Sequence, residues 1–119
     1  MAPRQTRKKR PTLPVRQLER LIEEATVDAY GESEQATGFL TMIEDNIELP
    51  FETEILGVLV TVLRFDIDDR DQVVAICQRG RQRQAIHLAE LRLPFPRPTG
   101  AEWIEAYCYW RRRGWGSGE

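Results

Sequence analysis

Histidine and cysteine, the usual ligands of zinc, are scarce in this chain of 119 residues. The chain has two cysteines, Cys77 and Cys108, and one histidine, His87. These are too few for a disulfide framework or for a zinc site built from cysteine and histidine. We expect both cysteines to be small buried side chains. His87 is assigned no function, because its alternating apolar neighbours are typical of a strand.

Long apolar segments are also missing. The longest apolar run, ILGVLVTVL at residues 55–63, is far shorter than the roughly 20 residues of a membrane-spanning helix, and we interpret it as a buried strand. The basic N-terminus has no apolar segment behind its charges, so it resembles neither a secretory signal nor a membrane anchor. We therefore expect a soluble, cytoplasmic protein that does not contact a membrane.

Basic residues are absent from the middle of the chain. The net charge is only −2, but residues 1–20 carry +6, residues 21–63 carry −10 without a single base, and residues 64–119 carry +2. Carboxylates at this density repel one another. Screening by water and salt, protonation, a basic partner or a bound cation must offset the repulsion. A solvated acidic surface is the simplest of these explanations.

The spacing of apolar residues predicts a single α+β domain. From Pro14 onward, a repeat of three and four residues predicts a helix that Gly31 ends, and a second helix then runs to Asn46. After about residue 52 the period becomes that of strands, which predicts a small antiparallel SH3-like β-barrel or meander of three or more strands. A last helix, capped near Gly100, packs its tryptophans into the core.

We place the domain boundaries at residues 13 and 115. Residues 1–12 contain five basic residues and two prolines and lack apolar periodicity, so we expect a disordered basic tail. Residues 116–119 are expected to be a frayed C-terminus. The tail should therefore be dispensable for folding.

The distribution of the acids favours a cation over solvent alone. They gather at the two ends of the second helix, around Gly31 and around Asn46. Those near the helix C-terminus oppose the macrodipole, and a cation there would reverse the sign of that interaction. Carboxylate, amide and carbonyl oxygens are hard donors that suit Ca²⁺ or Mg²⁺, and Ca²⁺ tolerates irregular geometry better.

The EF-hand calcium loop is absent from the sequence. In the segment that begins at Asp66, Arg70 stands at loop position 5, and Cys77 replaces the glutamate of position 12. The aspartates of this inter-strand loop could still form a second metal site, although a polar turn is the simpler interpretation. They are Asp66, Asp68, Asp69 and Asp71.

The stretch VDAYGESEQATGF, followed by IEDNIELPFET, resembles the small calcium-binding proteins first recognised in cyanobacteria. The ending YCYWRRRGW is similar to the closing tryptophan-rich helix of that family. The resemblance implies a calcium buffer or sensor without EF-hands, on a helical and β-barrel body. The residues that match the shared stretch, and that the resemblance therefore implies as calcium ligands, are Asp28, Glu32, Glu34, Glu44, Asp45 and Asn46.

Nucleic-acid binding is the alternative function. The basic segments at residues 7–10, 79–83 and 111–113 could neutralise phosphates, and tryptophans could stack on bases. The −10 segment and a pI near 5.5 oppose this interpretation. An enzyme is not expected, because the sequence has no plausible nucleophile and no glycine-rich phosphate loop.

Overall fold

The computed structural model describes residues 13–113, so the predicted tail (residues 1–12) and the frayed end (residues 116–119) lie outside it. It has the α+β architecture that the sequence predicts. The helices are α1 (Val15–Ala25), α2 (Glu32–Asn46) and α3 (Ala101–Arg112), and the strands are β1 (Phe51–Ile55), β2 (Val58–Ile67), β3 (Val73–Arg79) and β4 (Gln82–His87). In the described part of the chain, no helix is both long and apolar enough to span a membrane.

The four strands form one antiparallel sheet in the order β1–β2–β3–β4, which confirms the meander. Within residues 13–113, β1 and β4 do not pair with each other, so the sheet is open and the SH3-like barrel is not confirmed. A break in register between Val62 and Arg64 inserts one residue into β2. As a result, both Val62 and Phe65 are buried although they are three residues apart.

The apolar run at residues 55–63 is not one buried strand, and that prediction was wrong. Ile55 ends β1, Leu56 and Gly57 form a two-residue turn, and Val58 begins β2. Both turn residues have positive φ (51° and 77°), as the type I′ turns of β-hairpins require. Leu56 is 97% exposed. The sequence pattern did not indicate this turn, because the apolar residue Leu56 occupies a position where Asn or Gly is usual.

The end of the first helix also differs from the prediction. The backbone N–H of Thr26 and its hydroxyl both donate to the carbonyl oxygen of Ile22, at 3.0 and 2.7 Å, and α1 ends at Ala25. Gly31 is instead the extended residue that precedes α2. The intervening turn contains Asp28 in the left-handed region, with φ 60°.

The helices cover the two central strands. α2 packs on β2 and β3 and also contacts α1 and α3. Phe39 of α2 packs edge-to-face on Tyr107 and at a tilt on Trp110 of α3, with ring centroids 5.5 and 5.1 Å apart, which confirms the predicted packing of the last helix. A Cβ atom on Gly38 would lie only 2.0 Å from the carbonyl oxygen of Ala25, so glycine allows the end of α1 to contact α2.

Candidate metal centre

The predicted ligands lie at two separate places on α2. Asp28, Glu32 and Glu34 surround its N-terminus, whereas Glu44 and its two successors occupy its last turn. A helix rises about 1.5 Å per residue, so Glu32 and Glu44 are about 18 Å apart along the axis. Calcium–oxygen distances are about 2.3–2.6 Å. The six residues therefore cannot ligate one ion, and the candidate ligands form two groups.

Two of the three acids at the N-terminus of α2 already have partners. Glu34 accepts a hydrogen bond from the backbone N–H of Tyr30 at 2.8 Å, the residue before the N-cap Gly31. Glu32 forms an ion pair with Arg111 of α3, with 3.1 Å between nitrogen and oxygen. Negative charge is also favoured here by the helix macrodipole. These carboxylates are thus stabilised by the protein itself.

The β2–β3 loop approaches the same end of α2. The hydroxyl of Ser33 donates to Oδ1 of Asp71 at 3.2 Å. Asp71, like Asp28, has a positive φ (62° and 60°), a conformation that aspartate tolerates better than most residues. Asp71 was predicted to belong to a second metal site with the other aspartates of this loop. The loop places it near the N-terminus of α2, where Glu32 and Glu34 lie.

Asp68 has a structural role in the same loop. Its Oδ1 accepts hydrogen bonds from the backbone N–H groups of Arg70 and Gln72, both at 2.9 Å, and its Oδ2 is 3.0 Å from Nε2 of His87. Burial alone would raise the pKa of Asp68, but these hydrogen bonds lower it below the usual value of a carboxyl. Oδ1 therefore stabilises the turn at residues 68–72, and Oδ2 connects this turn to His87 at the end of β4. No pattern in the sequence indicates the contact between Asp68 and His87, which are 19 residues apart.

The acids in the last turn of α2 have no such partners. The side chains of Glu44 and Asp45 are exposed and make no hydrogen bond or ion pair with another residue of the 13–113 segment. The turn contains no basic residue. Asn46 donates from Nδ2 to the carbonyl oxygen of Met42 at 2.8 Å. Its amide oxygen accepts no hydrogen bond from the described residues. The turn therefore offers two carboxylates and one amide oxygen to solvent.

The backbone at this end of α2 is held by the start of α3. Gly100 precedes α3 with φ 89°, and a Cβ atom on it would lie 2.3 Å from the carbonyl oxygen of Asn46. In the part of the chain that the structure describes, no three side chains of Asp, Glu, His or Cys converge on a point where they could hold a metal ion. A calcium ion at either end of α2 would therefore need rotation of exposed side chains, or backbone and water oxygens as further ligands.

The three basic segments of the nucleic-acid alternative differ in their surroundings, and the one at residues 111–113 forms ion pairs with acids. Arg111 pairs with Glu32, and Arg113 lies 3.6 Å from Glu19. Trp103 and Trp110 are buried, with exposed fractions of 5% and 6%, so neither offers a face for stacking on a base. The segment at residues 79–83 is exposed at the β3–β4 hairpin, and residues 7–10 lie outside the described range.

Known structures share this fold. The crystal structure of Anabaena CcbP matches with a TM-score of 0.66 and 22% identity, over 87% of this chain and 96% of that one. A structure of a calcium-binding protein in its calcium-binding form also matches with a TM-score of 0.66 and 22% identity, over 83% of this chain and 92% of the other. No curated protein sequence matches the chain.

The family assignment comes from the sequence itself. Residues 19–111 match the model of the CcbP family, which is described as calcium binding. The match covers more than half of the chain and includes all six candidate ligands. It confirms the resemblance seen in the stretch from Val27 to Phe51 and identifies Ca²⁺ as the ion of the family. The chain therefore belongs to the CcbP family of calcium-binding proteins.

Proposed function

We propose that this protein binds Ca²⁺ through the carboxylates at the two ends of α2, without an EF-hand. The observation that carries the proposal is the last turn of α2, where Glu44 and Asp45 are exposed, lack partners among residues 13–113 and lie at the negative end of the helix dipole. A divalent cation there offsets both the mutual repulsion and the dipole. Asn46 supplies a neutral oxygen beside them.

Calcium suits this arrangement better than magnesium. The donors are hard oxygens on adjacent residues of one helix end, which do not point toward a common centre. Calcium accepts six to eight oxygens in flexible geometry, whereas magnesium requires a near-ideal octahedron and retains its waters. Water and backbone carbonyls complete the proposed coordination. The ion is therefore held at an open surface position.

The N-terminus of α2 is the second proposed position. Asp28, Glu32 and Glu34 are candidate ligands there, and Asp71 approaches from the β2–β3 loop through its contact with Ser33. At this end a cation competes with Arg111 for Glu32. Binding should therefore be weaker here than at the last turn, because an existing ion pair has to be given up.

The same competition provides a route by which a sensor could respond. A buffer needs only to bind the ion, whereas a sensor must change its structure on binding. If Ca²⁺ takes Glu32, Arg111 is released and the C-terminal turn of α3 loses a contact with α2. Faster hydrogen exchange in that turn on addition of calcium would indicate a sensor, and unchanged exchange would indicate a buffer.

Calorimetric titration with Ca²⁺ and with Mg²⁺ tests the proposal directly. We expect calcium to bind at least about tenfold more tightly than magnesium, a difference of about 1.4 kcal/mol. At a free calcium concentration of about 100 times Kd, the fold should gain about 2.7 kcal/mol of stability. A thermal melt that responds to calcium no more than to NaCl of equal ionic strength would contradict it and would support a merely solvated acidic surface.

A further inference from the structure

A groove lies on the inner face of the sheet, at the end formed by the β1–β2 and β3–β4 hairpins. The helices pack on the central strands β2 and β3 and leave this end of the inner face open. The floor of the groove is apolar and is formed by Ile55, Val58, Val60, Cys77 and Ile86. The candidate calcium ligands do not line it.

The rim of the groove is basic. Arg79, Gln82 and Gln84 line its β3–β4 side on the inner face. The backbone of Arg83 borders the groove there, and its side chain lies on the outer face of the same edge, beside Gln78. Residues 72–89 include three arginines and no Asp or Glu, in a chain that is acidic overall. Arg83 donates to Gln78 at 2.7 Å, whereas Arg79 makes no ion pair with any residue from 13 to 113. The groove therefore combines an apolar floor with positive charge that nearby carboxylates do not neutralise.

The neighbouring strand is an open edge. β4 pairs with β3 on one side only, and residues 82–87 make no further backbone hydrogen bonds within the described segment. Such an edge exposes a row of N–H and C=O groups to which an extended chain can add. On the opposite side of the groove, the β1–β2 turn contains Leu56, which is 97% exposed. Its backbone is in the left-handed region, which a bulky residue rarely adopts.

We propose that this groove binds an extended, acidic segment of a partner protein, which adds to β4 as a fifth strand. Alternate side chains of a strand point to opposite faces of the sheet. Apolar side chains on the inner face would fill the floor, and Asp or Glu side chains on the outer face would pair with Arg83. Arg79 adds positive charge at the rim of the groove. Complementary charge thus selects the segment, and backbone hydrogen bonds hold it.

The shape of the groove favours a peptide over a membrane surface. A lipid headgroup layer would contact the hairpin tips but could not enter a concave floor, whereas single apolar side chains can. The two hairpins lie at one end of the meander, and the β2–β3 loop, which contacts the N-terminus of α2 through Asp71, lies at the other. The proposed peptide site is therefore distinct from that proposed calcium position.

The test uses a fluorescent eight-residue peptide that alternates glutamate with valine or leucine, and a control peptide with lysine in place of glutamate. Each is titrated into the full-length protein. We expect the acidic peptide to bind and to shift NMR signals of the β4 amides, residues 82–87. The double variant Arg79→Gln/Arg83→Gln should weaken binding at least about tenfold, because the charge-assisted contact with Arg83 and the positive charge of Arg79 at the rim are lost.

A matched control removes two exposed arginines away from the groove, in the double variant Arg70→Gln/Arg112→Gln. It should bind the acidic peptide as the wild type does. Three results would overturn the proposal: no acidic peptide binding at millimolar concentration, equal binding of the lysine peptide, or shifts outside β4 and the groove. Binding to phosphatidylglycerol vesicles that depends on Arg79 and Arg83, without peptide binding, would identify a membrane surface instead.

Discussion

The two ends of α2 carry the same kind of side chain in opposite circumstances. At the N-terminus, Glu34 accepts a hydrogen bond from the N–H of Tyr30 and Glu32 pairs with Arg111, and the helix macrodipole favours both negative charges. At the C-terminus, Glu44 and Asp45 oppose the dipole and have no partner among residues 13–113. The density of carboxylates alone therefore does not locate a cation site. What matters is whether the fold already offsets the charge.

The largest expected effect comes from Asp45→Asn. This substitution keeps the size of the side chain and removes one negative charge and one carboxylate oxygen that could ligate calcium. Calcium binding should weaken about tenfold or more, about 1.4 kcal/mol. The calcium-free protein should be unchanged or slightly more stable, because like-charge repulsion has been relieved. Calorimetry and thermal melts on the same preparation measure both effects.

Two companions make this result interpretable. Glu90→Gln, an exposed acid outside the candidate groups, is the control and should leave calcium binding unchanged. Asp28→Asn tests whether the N-terminal end of α2 also binds calcium. Asparagine is suitable here because, like aspartate, it tolerates a positive φ. This variant should weaken calcium binding less than Asp45→Asn does. A loss of about 1 kcal/mol in calcium-free Asp45→Asn would contradict the ligand assignment and indicate a structural hydrogen bond.

The next largest effect compares alanine at the two ends in the absence of calcium. Glu34→Ala removes the hydrogen bond from the Tyr30 N–H and a favourable dipole interaction, so it should destabilise the fold by about 1 kcal/mol. Glu44→Ala removes an unfavourable charge and should be neutral, or stabilising by about 0.5 kcal/mol. Urea unfolding without calcium measures both. Equal losses at the two ends would show that the helix dipole and the hydrogen bond to Tyr30 do not distinguish them.

A smaller effect is expected from Arg111→Gln. Since Arg111 competes with a cation for Glu32, its removal should raise calcium affinity at the N-terminal position about threefold, close to 0.7 kcal/mol. Arg112→Gln changes the net charge equally at an exposed neighbouring position and is the control. An affinity that falls, or that rises equally in both variants, would exclude Glu32 as a ligand.

Much of the fold could be predicted because it depends on local periodicity. The last helix was predicted to pack its tryptophans into the core, and Trp103 and Trp110 are buried. The errors arose where one residue decides a boundary. Thr26 closes α1 early through its bonds to Ile22, and the hairpin turn at Leu56 has none of the usual turn residues before its glycine.

The candidate site was less predictable, because its electrostatics depend on contacts between distant parts of the chain. The partners of Glu32, Ser33 and Asp68 are Arg111, Asp71 and His87, which lie 79, 38 and 19 residues away. Sequence spacing along one helix could place the acids at its two ends, but it could not show which end the fold neutralises. The ligand assignment itself stays a prediction.

The smallest expected effect concerns Asp68, whose charge the fold stabilises without any cation. Because the pKa of Asp68 is lowered in the folded protein, its charged form contributes stability above the pKa of the unfolded chain, near pH 4, and this is lost as the pH falls through the folded value. Asp68→Asn lacks this contribution. It should melt below the wild type at pH 7, and the difference should narrow between about pH 5 and pH 2. Asp69→Asn, exposed in the same loop, is the control; a difference that stays constant with pH would show that the loop depends on the shape of Asp68 and not on its charge.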